Sequence, residues 1–589
     1  MKKEGSLKQA NKALNFRLLA GLLVVLLCSI MTQFWSRPNN ITRPFYGLHS
    51  WADAHGPWLA RVQLKHGFKY TKGLYTWAVG DPPTEHPSRY LDHPQLPGLF
   101  NTAFMAVLGI NTWALRVENI IATAVALLLF LKILRRLLDD KTALLAGLLF
   151  CLFPLIGYFG VNMWLFPLSF WAIWCYLVLI KGLKDGPKPT LLHKFGLAAG
   201  LFFALQMSWE GFFFALAIGV HYVFRCIHRR QFPEMTILTI LIIAPLSSLI
   251  LNFAIMATAR GWNIQRIVEL YKWRAGSGEL NELTWPMWFG RFWEHAITNF
   301  TPPILITTIV YLTFGQLYVF KTKPNKRNKR RPRQFPHFWL FLMPAIFQLF
   351  MLRGALWPHQ TWERPLVPFI AIAAAEGVML LGDLLRKINK IVAYIAMAAL
   401  VAVFAIFCVI GIKHYYYIRW QAPAKIEMFE MLQKKIPPDK ALLSWDPFKV
   451  NQHKSKGAHY RPEIAWHLDR EIVQARSLEE VQKYAQTGRY PYYLVPAEPQ
   501  WSQRTIALFR QARAANIGST QRARLEALAQ EAYLNELKQW NLLIDPLKKL
   551  YESQYIPGVQ GESTKDGKFL RAGMMPYMIF DLSSKGPGS

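Results

Sequence analysis

The sequence predicts a polytopic α-helical membrane protein with a C-terminal soluble α/β domain, and three observations lead there. Hydrophobic residues make up 52% of the 589, among them 22 Trp, 39 Phe and 23 Tyr. Apolar stretches of roughly 17–25 residues, the length a helix needs to cross about 30 Å of hydrocarbon, recur between residues 17 and 413. Past residue 415 the chain changes to mixed charge, with short apolar runs separated by amphipathic ones. The expected domains are therefore a transmembrane domain, 1–415, and an extracytoplasmic α/β domain, 416–589.

Basic clusters orient the spans, because Lys and Arg accumulate on the cytoplasmic side. The first apolar helix, 18–31, follows Lys2, Lys3, Lys8 and Lys12, and no small-residue cleavage pattern follows Met31, so it reads as an uncleaved span with the N-terminus inside. Residues 36–112 form an outer loop. Further spans are expected near 119–134, 142–159 and 163–180. The stretch 195–224 has cytoplasmic-looking ends on both sides, which requires two short helices breaking at Ser208-Trp209-Glu210-Gly211. A span near 236–257 leads to a Trp-rich outer loop, 260–300. There Trp262, Ile264, Ile267, Val268 and Tyr271 oppose Arg266, Lys272 and Arg274 in the pattern of an interfacial amphipathic helix. Spans near 302–320, 337–352, 365–384 and 391–412 bring the total to about eleven and leave the C-terminus outside. Beyond them the pattern gives a helix near 422–435, strands at 441–445 and 491–495, helices through 502–553 and a closing strand at 577–581.

A net charge of +32 raises nucleic acid as a partner, but the placement of the charge excludes it. The densest run, Lys321 to Arg333, lies directly between two spans, where basic residues fix topology and meet anionic membrane lipid. The five cysteines, Cys28, Cys151, Cys175, Cys226 and Cys408, lie in or beside spans and show neither a disulfide framework nor metal-ligand spacing.

Four polar constellations fall on the expected outer face. Asp53 stands in Trp51-Ala52-Asp53-Ala54-His55, where the spacing of Trp58, Leu59 and Val62 indicates a helix along the membrane. Asp92 and His93 open a proline-shaped loop, His93-Pro94-Gln95-Leu96-Pro97, that presents His93 to a cavity. Arg116 begins a span and offers a guanidinium fork to a phosphodiester. Arg353, His359, Glu363 and Arg364 crowd twelve residues ahead of Pro365. Glu210, at the break in the helix pair, is an ionisable group near membrane depth, a position that usually carries function. The ordinary readings are a helix cap for Asp53, a turn at the membrane surface for the proline loop, and snorkelling anchors for the arginines.

An Asp just outside the first span, a proline loop about forty residues on and an Arg opening the next span together resemble glycosyltransferase family 39. That family lies in the GT-C superfamily of membrane glycosyltransferases and includes protein O-mannosyltransferases and lipid A aminoarabinose transferases. The similarity covers about residues 15–415, and includes the helix pair at 195–224 and His359 ahead of Pro365 and Pro368. It implies a GT-C fold and transfer of a hexosyl or pentosyl group from a polyprenyl-phosphate sugar to a lipid, protein or glycan acceptor. It further implies a bacterial inner membrane with the chemistry on the extracytoplasmic, periplasmic side. Asp53 would be the general base. Arg116, with His93, His359 and Arg364, would hold the donor phosphate. Asp92, Glu210, Arg353 and Glu363 would line the substrate pocket. No cofactor is required, and no ligand spacing indicates a divalent metal.

The chain departs from the family at several points. Asp53-Ala54 stands where many members have Asp-Glu, His93 where Lys is frequent, Asn162-Met163-Trp164 where some relatives have an acid, and Trp209-Glu210 where a Lys-Pro-like turn is common. Other functions predict different patterns. A transporter or lipid flippase predicts inverted repeats and mid-membrane charges, whereas here the polar residues gather at one end of the spans. An oligosaccharide transferase or glycan polymerase predicts paired acids or metal ligands on outer loops. A non-catalytic anchor needs far fewer spans.

Overall fold

Apolar runs become helices here for the reason that governs every chain in hydrocarbon: only a helix or a closed barrel satisfies its own backbone hydrogen bonds there. The structure is a computed structural model that describes residues 21, 23, 27 and 44–589, apart from 46, 48–49, 92, 160–163, 184–185, 261–263, 276–283, 316–334, 357–358, 420, 447, 449–459, 499–502, 513–518, 564–568 and 585–589. The expected span 18–31 lies almost wholly outside the described residues.

Among the described residues, five helices are long and apolar enough to cross a membrane: Ala114–Leu137, Gly211–Arg229, Met235–Thr258, Thr361–Arg386 and Lys390–Tyr417. A sixth candidate is a pair, Trp285–Phe300 and Pro302–Gly315, bent by 106°. Its bend has a local cause. Thr301 takes φ 66°, and Pro302 and Pro303 follow it with no N–H to continue the ladder. Shorter apolar helices are Leu96–Leu108, Leu165–Leu179, Leu191–Met207 and Phe338–Met351. Among the described residues, several of the expected spans are shorter or interrupted. The stretch expected at 142–159, for instance, is split into Asp140–Leu152 and Pro154–Phe159. Phe153 is pushed to an extended backbone by the proline that follows it.

The helix pair expected from charge placement is present as Leu191–Met207 and Gly211–Arg229, with the break at residues 208–210. Gly211 allows it. A Cβ there would come within 2.6 Å of the Ala204 carbonyl oxygen, so the second helix starts against the backbone of the first.

By contact, the chain divides into two units. One comprises 1–43, 73–75 and 90–416; the other comprises 44–72, 76–89 and 417–589. The outer loop 36–112 is thus shared between them. The first unit packs around Phe130, whose ring lies 5.2 Å from Phe150, 5.5 Å from Phe170 and 5.6 Å from Phe341.

The second unit holds a five-stranded mixed sheet in the order Ile472–Gln474, Leu442–Ser444, Tyr492–Pro496, Tyr577–Asp581, Glu552–Ile556. The first three strands run parallel, with Leu442 opposite both Ile472 and Tyr492; Tyr577–Asp581 pairs antiparallel with both Tyr492–Pro496 and Glu552–Ile556. Leu443, Tyr493, Val495 and Phe580 pack one face onto Trp540, Ile544 and Leu547 of the helix Ser519–Leu550. The alternate residues Leu442, Leu494 and Ile579 are buried as well, so the sheet is covered on both faces.

The same unit contains the helix Ser50–Thr71, kinked at Gly67 (φ 77°). That helix packs against the short helix Pro462–Leu468, and Phe45 sets its ring edge-on to Trp466 at 5.6 Å.

Candidate functional site

In the first unit, polar side chains converge on the 3-10 segment Gln360–Leu366, whose successive residues point to different neighbours. Trp362 lies under the guanidinium of Arg274, 5.9 Å from Cζ to the ring centre. Its carbonyl accepts from Gln348 Nε2 at 3.1 Å, and the same amide donates to Glu210 Oε1 at 3.3 Å. Gln348 is almost fully buried, so it ties the break of the helix pair to this segment. Glu363 is fully buried, and its Oε2 accepts from Asn299 Nδ2 at 2.9 Å, while the Asn299 side-chain oxygen accepts from the Tyr415 hydroxyl. Arg364 sits over the ring of Phe159 at 5.7 Å.

The proline loop meets this region through His93. Gln95, buried, accepts from the Tyr75 backbone N–H at 2.8 Å and donates to the carbonyls of Tyr90 (3.2 Å) and His93 (2.6 Å). That staple fixes the loop. The helix Leu96–Leu108 starts directly after it, with Pro97 in its first turn. His93 Nε2 accepts from Arg274 Nη2 at 3.1 Å. Since a guanidinium only donates, Nε2 carries no proton and Arg274 is the cation of the pair.

Arg274 is the principal residue that the sequence reading missed as a site residue. It occupies the last turn of the amphipathic helix Ile264–Ala275 and is 8% exposed. Periodicity placed it on a polar face, and a polar face looks the same whether it meets water or a buried partner. Arg353 joins the same corner. Its Nε donates to the Ala275 carbonyl at 3.3 Å and its guanidinium lies 5.0 Å from the Trp285 ring centre. His359, just before the 3-10 segment, is held below its usual value by burial and then by the charge of Arg274.

Arg116 lies, half-buried, in the first turn of Ala114–Leu137. There the helix N-terminus adds positive potential. Asn119, one turn on and so on the same side of the helix, donates to the carbonyl of Phe159, the residue whose ring faces Arg364. Glu118 beside it is buried, and once the Asn101 amide is turned to present its nitrogen, Glu118 Oε2 accepts from it at 3.0 Å, which joins the helix after the proline loop to the Arg116 turn.

The structure thus sets Arg274 between His93 and Trp362 and links Glu210 to Trp362 through Gln348. Arg353 stands beside them, and Phe159 is touched both by Arg364 and by Asn119, one turn on from Arg116. Asp92 lies outside the described residues. Among the described residues, no three His, Cys, Asp or Glu side chains come together as metal ligands would.

Asp53 belongs to the second unit, half-buried in the first turn of Ser50–Thr71. Its neighbour His55 is buried and accepts from Trp77 Nε1 at 2.9 Å. Trp58, fully buried, donates its indole N–H to the Ala78 carbonyl at 2.8 Å. The turn carrying Asp53 is therefore anchored by its own aromatic residues.

Comparison with known proteins follows the same lines. A family profile described as dolichyl-phosphate-mannose-protein mannosyltransferase matches residues 92–251, the stretch that includes His93, Arg116 and Glu210. No curated protein matches. Among solved structures, ArnT from Cupriavidus metallidurans bound to undecaprenyl phosphate is similar at TM-score 0.52 and 12% identity, over 85% of this chain and 95% of that one. The oligosaccharyltransferase of Archaeoglobus fulgidus in its apo form is similar at TM-score 0.50 and 11% identity, over 94% of this chain and 74% of that one. Motif order, family match and fold agree: the chain has the GT-C membrane fold and resembles the dolichyl-phosphate-mannose-protein mannosyltransferase family over residues 92–251.

Proposed function

We propose that the protein is an integral membrane glycosyltransferase that moves a sugar from a polyprenyl-phosphate donor to an acceptor hydroxyl on the extracytoplasmic side of a bacterial inner membrane. The observation that carries this reading is the cationic corner of the first unit, where buried Arg274 bonds His93 and stacks on Trp362. A guanidinium held in a poorly solvated place by a neutral imidazole and an aromatic face suits a phosphate that gains charge during reaction. The similar ArnT structure contains undecaprenyl phosphate, a lipid phosphate of the proposed class.

In this mechanism the acceptor oxygen attacks the anomeric carbon and its proton passes to the Asp53 carboxylate. The bond between that carbon and the phosphate oxygen breaks, and its electron pair stays on the departing polyprenyl phosphate. Arg116, Arg274 and Arg364 neutralise that phosphate, and His93 and His359 help to hold it in place. Glu210, Arg353 and Glu363 support the surrounding pocket, and the step requires no metal.

Transfer from a panel of synthetic polyprenyl-phosphate sugars, compared between wild type and Asp53→Asn, tests the reading. Turnover by wild type, lowered about 10²- to 10⁴-fold in a folded and donor-binding Asp53→Asn, is the expected result for loss of a general base. Turnover that survives the substitution removes Asp53 from that role. The absence of turnover and of carrier-lipid binding in folded wild type overturns the transferase reading as a whole.

A further inference from the structure

Arg61 is a guanidinium that the chemistry above does not use, yet it is 8% exposed and is engaged by two backbone carbonyls, a carboxylate and an indole ring. It stands in the same helix as Asp53. Its Nη1 donates to the Trp466 carbonyl at 2.6 Å, and its Nη2 donates to the Ala465 carbonyl at 2.7 Å. Nη2 is also 3.4 Å from Asp469 Oδ1, and the guanidinium plane lies 4.7 Å from the Trp466 ring centre. These carbonyls close the last turn of the helix Pro462–Leu468, the end that attracts a cation.

Other contacts reinforce the attachment on either side. Lys65 reaches Asp469 Oδ2 at 3.2 Å. Ahead of Asp53, the Phe45 backbone N–H donates to His467 Nε2 at 3.2 Å, and His467 Nδ1 is 2.9 Å from Glu430. The segment bearing Asp53 is thus pinned before and after that residue to elements some four hundred positions later in the chain.

We propose that Arg61 is a positioning residue for Asp53, fixing the rotation and register of the helix that carries it against the C-terminal α/β part of the unit. This rests on the reading of Asp53 as the base. Apolar packing alone would hold two helices together, but it is tolerant of sliding. A planar fork that bonds two successive carbonyls and stacks on the second residue's ring admits one arrangement. Removing a guanidinium from water is costly, and groups of this kind are retained where they select one geometry.

Pro57 makes the clamp necessary. It lies inside the helix between Arg61 and Asp53 and has no N–H to return to the Asp53 carbonyl four residues back. The turn holding Asp53 is therefore less stiffly tied to the rest of the helix than an ordinary first turn, and eight residues, about 12 Å of helix, separate it from the clamp. A carboxylate that must sit within hydrogen-bond reach of an acceptor hydroxyl is sensitive to shifts of an ångström. The C-terminal residues, on this view, serve catalysis by holding the base in place.

The test measures kcat and donor KM for full-length wild type, Arg61→Lys, Arg61→Met and Asp53→Asn, with thermal melting of each. Arg61→Met is expected to lower kcat about 10²-fold while donor KM stays at the wild-type value. Arg61→Lys keeps the charge but loses the fork, and falls between the two. Wild-type kcat in both variants overturns the proposal, and so does a rise in donor KM that matches the loss in kcat. If Arg61→Met does not fold, Arg61→Lys decides by the same criterion. An active Asp53→Asn brings down the base reading and this inference with it. An inactive Asp53→Asn beside fully active Arg61 variants brings down the inference alone.

Discussion

Arg274 and His55 show how burial redirects a residue whose chemistry the sequence states plainly. For Arg274, replacement by Ala removes a charged hydrogen-bond partner of the proposed phosphate, an interaction of about 1.5–3 kcal/mol. Donor KM is expected to rise between about tenfold and about a hundredfold, read in the same transfer assay. Arg274→Lys restores little of this, because an ammonium cannot both donate to His93 and lie flat on Trp362. For His55, burial pushes the imidazole from the usual 6.5 to about 3. The unfolded chain takes up this proton below pH 6.5, whereas the folded chain takes it up only near 3. The stability that neutral His55 contributes is therefore complete above 6.5 and drains away as pH falls from 6.5 towards about 3. The slope has an upper limit of about 1.4 kcal/mol per pH unit. Melting of wild type should weaken between about pH 7 and about pH 5, and His55→Gln should show a shallower dependence over that window. Neither behaviour was legible beforehand: an Arg on a polar helix face and a His beside an Asp look the same in sequence whether they meet solvent or a closed pocket.

Elements were legible where a physical constraint acts over many residues. Charge at both ends of a thirty-residue apolar stretch leaves only a broken pair, and the break lies at 208–210 as expected. The closing strand Tyr577–Asp581 is a short continuous apolar run bounded by a proline, so its limits were readable as well. Strands Leu442–Ser444 and Ile472–Gln474 are three residues each. The second was missed, because three residues are too few to display a period, and with it the helices Pro462–Leu468 and Leu478–Ala485 that flank it. The broken pair also yields a sharp test. In Gly211→Ala the new methyl meets backbone atoms of Ala204 and Leu205 at 2.6–2.8 Å, and backbone cannot swing aside as a flexible side chain does. A loss of about 1–3 kcal/mol is expected from such overpacking. It would appear as a lower melting temperature in detergent and, through Gln348 and Trp362, as a raised donor KM.

At the scale of the molecule, a helical membrane part and a strand-containing C-terminal part were legible, but not which segments fold together. Residues 44–72 read as part of an outer membrane loop, yet they pack with 417–589. Hydrophobic periodicity reports that a face is buried and is silent on what covers it. The Arg61 contact joins positions 405 apart. During synthesis at about 5–20 residues per second, Arg61 therefore waits roughly 20 to 80 s for its partner while the intervening spans are inserted. For that interval the helix Ser50–Thr71 lacks the Ala465 and Trp466 carbonyls that hold its guanidinium. Nascent chains stalled before residue 462 should leave residues 44–72 open to protease, and chains released after residue 470 should protect them. The second unit would then be the last part of the protein to close, and a chain cut short anywhere in the membrane region would display an unpaired cationic helix by which quality-control proteases can recognise it.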